Sequence, residues 1–274
     1  MGKQRIFSRH SSPVTHHSKT VRELTLIALP GIPEIARGAN LAEILVAAVT
    51  RAGKTLDSGD VLVLAQKIVS KAEGRVVRLA EVTPSARAEE LARTVEKDPR
   101  LVELMLRESR GVLRAKPGVL IVEHRLGFVM ASAGVDQSNV PGIDREEAAL
   151  LLPEDPDASA RRIRDDLRHT CSVDVGVLIN DSFGRAWRNG VMGVAIGVAG
   201  IPALIDLRGR PDREGRALRV TQVAAADELA AAASLLMGQS DEGFPVVLAR
   251  GLPYARRESA VAELIRPRAE DLFR

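Results

Sequence analysis

Residues 118–134 read GVLIVEHRLGFVMASAG, two apolar runs, Gly118 to His124 and Leu126 to Gly134, separated by little more than Arg125. Two strand-like runs joined by so short a turn predict an antiparallel hairpin. That hairpin decides the fold class, because a purely doubly wound sheet alternates strand and helix along the whole chain. The expectation is an α+β fold of mixed sheets with flanking helices.

Toward the N-terminus, ARAEELARTVEK (86–97) and LVELMLRESRGVLR (101–114) carry helical spacing. VLVLAQKIVSK (61–71) reads as one continuous apolar strand whose end delivers Gln66, Ser70 and Lys71. LTLIAL (24–29) reads as a further buried strand leading into the turn Pro30-Gly31-Ile32-Pro33, after which Asn40 caps a helix over LAEILVAAVTRAG. Toward the C-terminus, DASARRIRDDLRHT (157–170) predicts a helix and DVGVLIN (174–180) a strand ending at Asp181-Ser182-Phe183-Gly184-Arg185. Gly190, Gly193, Gly197 and Gly200 read as places of close backbone packing. TQVAAADELAAAASLLMG predicts a helix ending at Gly238, and FPVVLARGL the last strand. No fixed-period repeat occurs, which excludes a solenoid or propeller.

The chain has 274 residues, 45% apolar and 27% charged, enough for a sizeable core. It contains no run of about 18 apolar residues and no apolar stretch near its start, so the cytoplasm is the expected compartment and no membrane partner is expected. Its one cysteine, Cys171, forms neither an internal disulfide nor a thiolate metal site. The pI of about 9.3 suggests nucleic acid, but the charge is misplaced for it. Five of the 39 basic residues lie in 1–22 with no acid, so 34 face 36 acidic residues over 23–274. Residues 1–22 read as a basic disordered tail and 23–274 as one catalytic unit. Aromatics are only 3%, which leaves few rings for base stacking, and no nucleic-acid partner is expected.

Three apolar runs end in polar clusters, at Gln66 to Lys71, Asp136 to Asn139 and Asp181 to Arg185. Carboxylates placed just after rigid strands suit a hard divalent cation, which takes one or two carboxylates, waters and phosphate oxygens. Asp136 and Asp181 are therefore first-choice ligands; the competing reading makes each a turn or helix cap. Lys71 offers a point charge to phosphate. The loop Met237 to Gly243 offers backbone N–H groups and oxygens, with Gly238 also a natural helix terminator. Arg185 and Arg188, flanking Trp187, suit an anionic substrate or an exposed salt-bridge face. There is no phosphate-binding loop of the G-x-x-x-x-G-K-[ST] type, no G-x-G-x-x-G and no H-E-x-x-H or C-x-x-C, and His124 and His169 read as structural. From the residues alone, the chain is a metal-assisted, phosphate-handling enzyme.

At these clusters the sequence resembles the coenzyme F420:L-glutamate ligase family. The resemblance runs from about Leu26 to Leu252 through Gly31-Ile32-Pro33-Glu34, Ser70-Lys71-Ala72-Glu73-Gly74-Arg75, Ala133-Gly134-Val135-Asp136-Gln137-Ser138-Asn139, Leu151-Leu152-Pro153, Asp181 to Arg188, Ala195-Ile196-Gly197, Ala226-Asp227-Glu228 and Met237-Gly238. It implies the gamma-glutamyl ligase fold as an intertwined homodimer, and a GTP-dependent amide ligase acting on a deazaflavin precursor and L-glutamate. It implies two Mg²⁺ or Mn²⁺ ions, with room for a monovalent cation such as K⁺. By the family pattern Asp136 and Asp181 hold one divalent ion and Ser182 and Gln239 a second, with Asp136, Asp181 and Lys71 as the catalytic set. Nucleotide contacts are implied for Ile32, Pro33, Glu34, Ile35, Gln66, Lys71, Asn139, Met237, Gly238, Gln239, Ser240, Asp241, Glu242, Gly243 and Phe244. Gln66 stands where relatives carry a small hydroxyl residue, and Asn180-Asp181-Ser182 replaces the commoner Thr-Asp-Thr. No C-terminal nitroreductase-like domain is expected. The alternative from another class is a nucleotide-binding scaffold that lacks the ligase chemistry.

Overall fold

A computed structural model describes residues 21–137 and 147–272. Asn139 and the basic segment 1–20 lie outside the described residues. The largest sheet has the strand order β1-β12-β2-β8-β9. Its strands are β1 (Thr25–Ala28), β2 (Val61–Ala65), β8 (Gly176–Arg185), β9 (Arg188–Ala199) and β12 (Val246–Arg250). β12 runs antiparallel to both β1 and β2, and β2 is parallel to β8. β1, β2 and β8 therefore point the same way. Four of the five β2 residues are buried and the fifth half-buried, as expected of a strand covered on both faces.

The covers are helices. α6 (Ala225–Met237) lies against β1, β12, β8 and β9, while α5 (Pro156–Cys171) lies against β8 and β9 and packs on α1 (Leu41–Arg51). α1 begins where the sequence expects, at Asn40, whose side chain accepts from the Glu43 N–H at 3.3 Å and donates to the Glu43 carboxylate at 2.9 Å. Its buried Leu41, Ala42, Leu45, Ala48 and Val49 share one face. In β9 the register with β8 shifts between Gly197 and Ala195, leaving Ile196 as an extra residue. Close packing of the glycines is confirmed on either side of this bulge. A Cβ at Gly197 would lie 2.5 Å from the Pro156 carbonyl group at the start of α5, and one at Gly193 2.4 Å from the Ala230 carbonyl oxygen of α6.

A second hydrophobic cluster lies apart from this sheet. It gathers α3 (Ala86–Val95), α4 (Pro99–Arg107) and the three-stranded sheet of β4 (Ser109–Lys116), β5 (Val119–His124) and β6 (Val129–Ala131), with Leu79, Val102, Leu120 and Val122 at its centre. The 118–134 hairpin is present as β5–β6. A ribbon of β3 (Val76–Arg78) and β7 (Ala148–Leu150) runs between the two clusters, and β10 (Ile205–Asp206) pairs with β11 (Gln222–Val223). The architecture is α+β with several sheets. Among the described residues no helix is long and apolar enough to cross a membrane.

Several elements differ from the sequence reading. VLVLAQKIVSK is strand only to Ala65, and Gln66 to Ala72 form the helix α2. The apolar run was long enough for either element, and the polar Gln66-Lys67 pair marks the change. The helix read over 101–114 stops at Arg107, because Ser109 to Lys116 pair with β5. β8 continues through Arg185 rather than ending at Asn180, because the glycine-spaced segment is a strand, β9, that pairs with it. Residues 222 and 223 are strand rather than helix.

Candidate active site

Because β1, β2 and β8 point the same way, the segments after them meet at one end of the sheet, where ligands of open α/β sheets bind. The α6–β12 loop closes that end. The result is a cleft of about 790 Å³ lined by residues from all four segments. The β1–α1 loop contributes Ile32, Pro33, Glu34 and Ile35; α2 contributes Gln66, Lys67, Ile68 and Lys71; β8 contributes Asn180, Asp181 and Ser182. The last loop contributes Met237, Gly238, Gln239, Ser240, Asp241, Gly243 and Phe244. Residues 35 to 240 positions apart in sequence, read first as separate clusters, share one wall.

Lys71 is buried, and its ammonium lies 2.6 Å from the Glu34 carboxylate, which ties α2 to the β1–α1 loop. Gln66 is also buried, and its amide oxygen accepts from the Ser70 hydroxyl at 2.8 Å. Lys67, one helical turn before Lys71, pairs with Asp136 at 2.6 Å. The sequence reading missed Lys67 because it treated 61–71 as a strand, where residues four apart are not stacked; a helix beginning at Gln66 places Lys67 and Lys71 together.

Asp181 is held by the outrun of β8. The β2 pairing ends at Ala65 opposite Asn180, whereas β8 and β9 remain paired to Arg185 and Arg188. Beyond Asn180 one edge of β8 is free of β2 and borders the cleft. Burial raises the Asp181 carboxyl to about 6, the Asp136 charge adding to the rise while the Ser182 N–H and Lys67 oppose it. The carboxylates thus repel one another across a site that holds a cation, the Lys67 ammonium.

Asp136 arrives differently. Ser132, Ala133 and Gly134 all have positive φ, 54°, 51° and 66°, a run that costs energy at the two non-glycine residues. A Cβ at Gly134 would lie 2.7 Å from Leu152, so glycine is required there on both counts. The Asp136 N–H donates to the Leu150 carbonyl at 3.0 Å and its carbonyl accepts from the Leu150 N–H at 2.7 Å. Asp136 stands beside the cleft through Lys67 rather than within its lining.

Among the described residues no three His, Cys, Asp or Glu side chains converge as a metal cage. The donors present are two carboxylates, the Ser182 hydroxyl and the Gln239 amide. That set fits Mg²⁺ or Mn²⁺, whose remaining positions go to water and phosphate oxygens, and Lys67 already places a positive group against Asp136.

Two expected features lie elsewhere. Glu242 does not line the cleft; its carboxylate accepts from the Ser240 N–H at 2.8 Å and occupies the space beside Gly238, and its own loop's N–H groups, that of Glu242 first, hold it below the ordinary range. Arg185, Trp187 and Arg188 lie at the β8–β9 turn outside the cleft, with Trp187 exposed. The histidines are structural, as read: the buried His124 accepts the Leu126 N–H at Nδ1, 3.0 Å, and His169 bonds the Asp165 carbonyl one turn back.

The model of the F420-0:gamma-glutamyl ligase family matches residues 31–251, which includes every cleft segment. The coenzyme F420:L-glutamate ligase of Methanothermobacter thermautotrophicus is 44% identical over 253 residues, 92% of this chain and 99% of that protein. The protein of the same name from Methanopyrus kandleri is 49% identical over 80% of this chain and 87% of its own length, and that from Archaeoglobus fulgidus 43% identical over 89% and 94%.

Proposed function

The chain belongs to the F420-0:gamma-glutamyl ligase family, and from that premise we propose that it joins L-glutamate to a deazaflavin precursor of coenzyme F420 with GTP as phosphoryl donor. The observation that carries this reading is the convergence of Lys71, Lys67, Asp181 and the Gly238–Gly243 loop on one cleft at the ends of three co-directional strands.

A carboxylate is a poor acyl donor because its leaving group would be oxide. In the proposed reaction the precursor's terminal carboxylate oxygen attacks the γ-phosphorus of GTP, the bond to the bridging oxygen breaks, and GDP and an acyl phosphate result. The glutamate amine then attacks the acyl carbonyl, phosphate leaves, and the amine loses a proton as the amide forms. Further gamma-linked additions would repeat the cycle. The β1–α1 loop and the residues 237–244 loop take the nucleotide. Lys71 and Lys67 bring positive charge to the phosphoryl oxygens, each exchanging a carboxylate partner for phosphate. Divalent ions, Asp136 and Asp181 holding one and Ser182 and Gln239 the other, would neutralise charge on the transferred group. The phosphoryl group is thereby kept within reach of the acceptor and away from bulk water.

Exposed Val191 and Trp187 near the β8–β9 turn and Leu235 on α6 support a homodimer, since apolar side chains on a surface mark contact sites. A cytoplasmic setting follows from the substrates, which are drawn from soluble pools. The mechanism is tested by ¹⁸O placed in the precursor's terminal carboxylate: an acyl phosphate carries one label into inorganic phosphate per turnover, and unlabelled phosphate would overturn it.

A further inference from the structure

Arg75 and Glu108 meet at 3.0 Å where the second lobe abuts the cleft-bearing sheet, and neither touches the cleft. Glu108, buried at the end of α4, is fixed twice more: its carboxylate accepts from Arg125 at 2.9 Å, and its backbone carbonyl accepts from the Arg125 N–H at 2.8 Å. The buried His124 ring presents Nε2 to it at 3.6 Å. Arg75 in turn grips one short segment. Its Nε donates to the Leu152 carbonyl at 2.9 Å, and its own carbonyl accepts from the Leu151 N–H at 3.1 Å.

That segment sets the position of Asp136. Leu150 pairs with Val76 on one side and exchanges both backbone hydrogen bonds with Asp136 on the other. Leu152 packs against Gly134, within the left-handed turn that delivers Asp136. Segment 150–152 is therefore the template for both the turn and the carboxylate, and the guanidinium of Arg75 is its clamp.

We propose that the Arg75–Glu108 ion pair is a positioning device for Asp136: through residues 150–152 it holds that carboxylate in register with Asp181, and so sets the affinity of the site for a divalent cation. The inference rests on the metal reading of the previous subsection and adds two positioning residues to it. Neutralising Glu108 leaves Arg75 without its charge partner, and the 150–152 segment loses its anchor to the second lobe. Groups that hold metal ligands in place typically govern about 10- to 100-fold in metal affinity.

The test uses the full chain and Mn²⁺ alone. Mn²⁺ binding is titrated by electron paramagnetic resonance without nucleotide, and amide exchange is followed at Leu150 and Asp136, for wild type, Glu108→Gln, Arg75→Lys and Arg107→Met. Arg107→Met breaks an ion pair with Glu103 in the same lobe that does not reach the segment. Glu108→Gln should bind Mn²⁺ about 10- to 100-fold more weakly and exchange faster at Leu150 and Asp136, with kcat at saturating Mn²⁺ within about threefold of wild type. Arg75→Lys keeps the charge but not the two-sided grip and should show the same shift in part, which keeps the proposal testable if Glu108→Gln does not fold. Arg107→Met should match wild type. Unchanged Mn²⁺ binding in folded Glu108→Gln or Arg75→Lys overturns the positioning role, whatever their exchange rates. Wild-type protein that binds no Mn²⁺ overturns the metal reading, and the positioning claim with it.

Discussion

Asp181 and Asp136 bring the same functional group to the same place from two different cores. Asp181 sits on β8, whose preceding residues Val177, Leu178 and Ile179 are fully buried between α5 and α6; its position follows from strand pairing alone. Asp136 hangs from the second lobe by a left-handed turn and a single two-bond bridge to Leu150. One carboxylate is placed by a rigid sheet, the other by a contact that longer-range ion pairs must maintain. The difference teaches that the second lobe is part of the site although almost none of it lines the cleft.

The largest expected effects test whether both carboxylates are needed. Asp181→Asn and Asp136→Asn should each lower turnover by at least about 10²–10³-fold, the range seen when one preorganised electrostatic partner is removed, as measured by GDP release. Their stabilities should separate them. Asp181→Asn removes a carboxyl that burial already holds near 6, so its Tm should not fall, whereas Asp136→Asn strips Lys67 of its partner and should lower Tm. Equal loss of Tm in the two variants would break the comparison.

Truncations in the two cores sharpen it next. Leu64→Ala in β2 and Leu120→Ala in β5 both empty fully buried sites and should each cost about 2–5 kcal/mol in denaturant unfolding. Amide exchange should rise throughout the chain for Leu64→Ala, but chiefly over residues 86–133 for Leu120→Ala. Uniform exchange in both would mean that the lobes do not differ in local stability.

Glu108 offers a pH test. Burial raises its pKa, but the His124 and Arg125 hydrogen bonds and the charges of Arg75 and Arg125 outweigh that and bring it to about 2 from 4.5. A depressed carboxyl stabilises the fold above its unfolded pKa, so the contribution is complete above about pH 4.5 and is lost as pH falls toward 2. It amounts to about 3 kcal/mol. Glu108→Gln should flatten the acid limb of the stability curve by that amount, and an unaltered limb would place the acid sensitivity elsewhere. The smallest effect is Asn40→Ala, which removes the cap of α1 and should cost about 1 kcal/mol of unfolding free energy.

The same contrast explains what was legible in the sequence. Apolar runs such as Val61 to Ala65 and Val175 to Ile179 report their own burial, and Asn40, Ser85, Asp98 and Asp155 mark helix starts by local chemistry, so most elements of the large lobe follow from short windows. Asp181, Lys71 and the 237–244 loop were legible for the same reason, as polar residues next to apolar runs. Two kinds of information were not. A run that changes from strand to helix without a break, Ala65 to Gln66, keeps its hydrophobicity while changing its period, and Lys67 was lost in it. Arg75 and Glu108 are 33 positions apart, and each alone is an ordinary charged residue; only the folded chain shows that both bear on Asp136.

The most direct measurement is mass spectrometry of the deazaflavin precursor after incubation with GTP, Mn²⁺, L-glutamate and, side by side, wild-type, Asp136→Asn and Asp181→Asn protein. The account predicts a ladder of glutamyl additions with wild type and unextended precursor with both variants. Extension by either variant at the wild-type rate would contradict a site built from one carboxylate of each lobe, and no extension by folded wild-type protein would contradict the ligase itself.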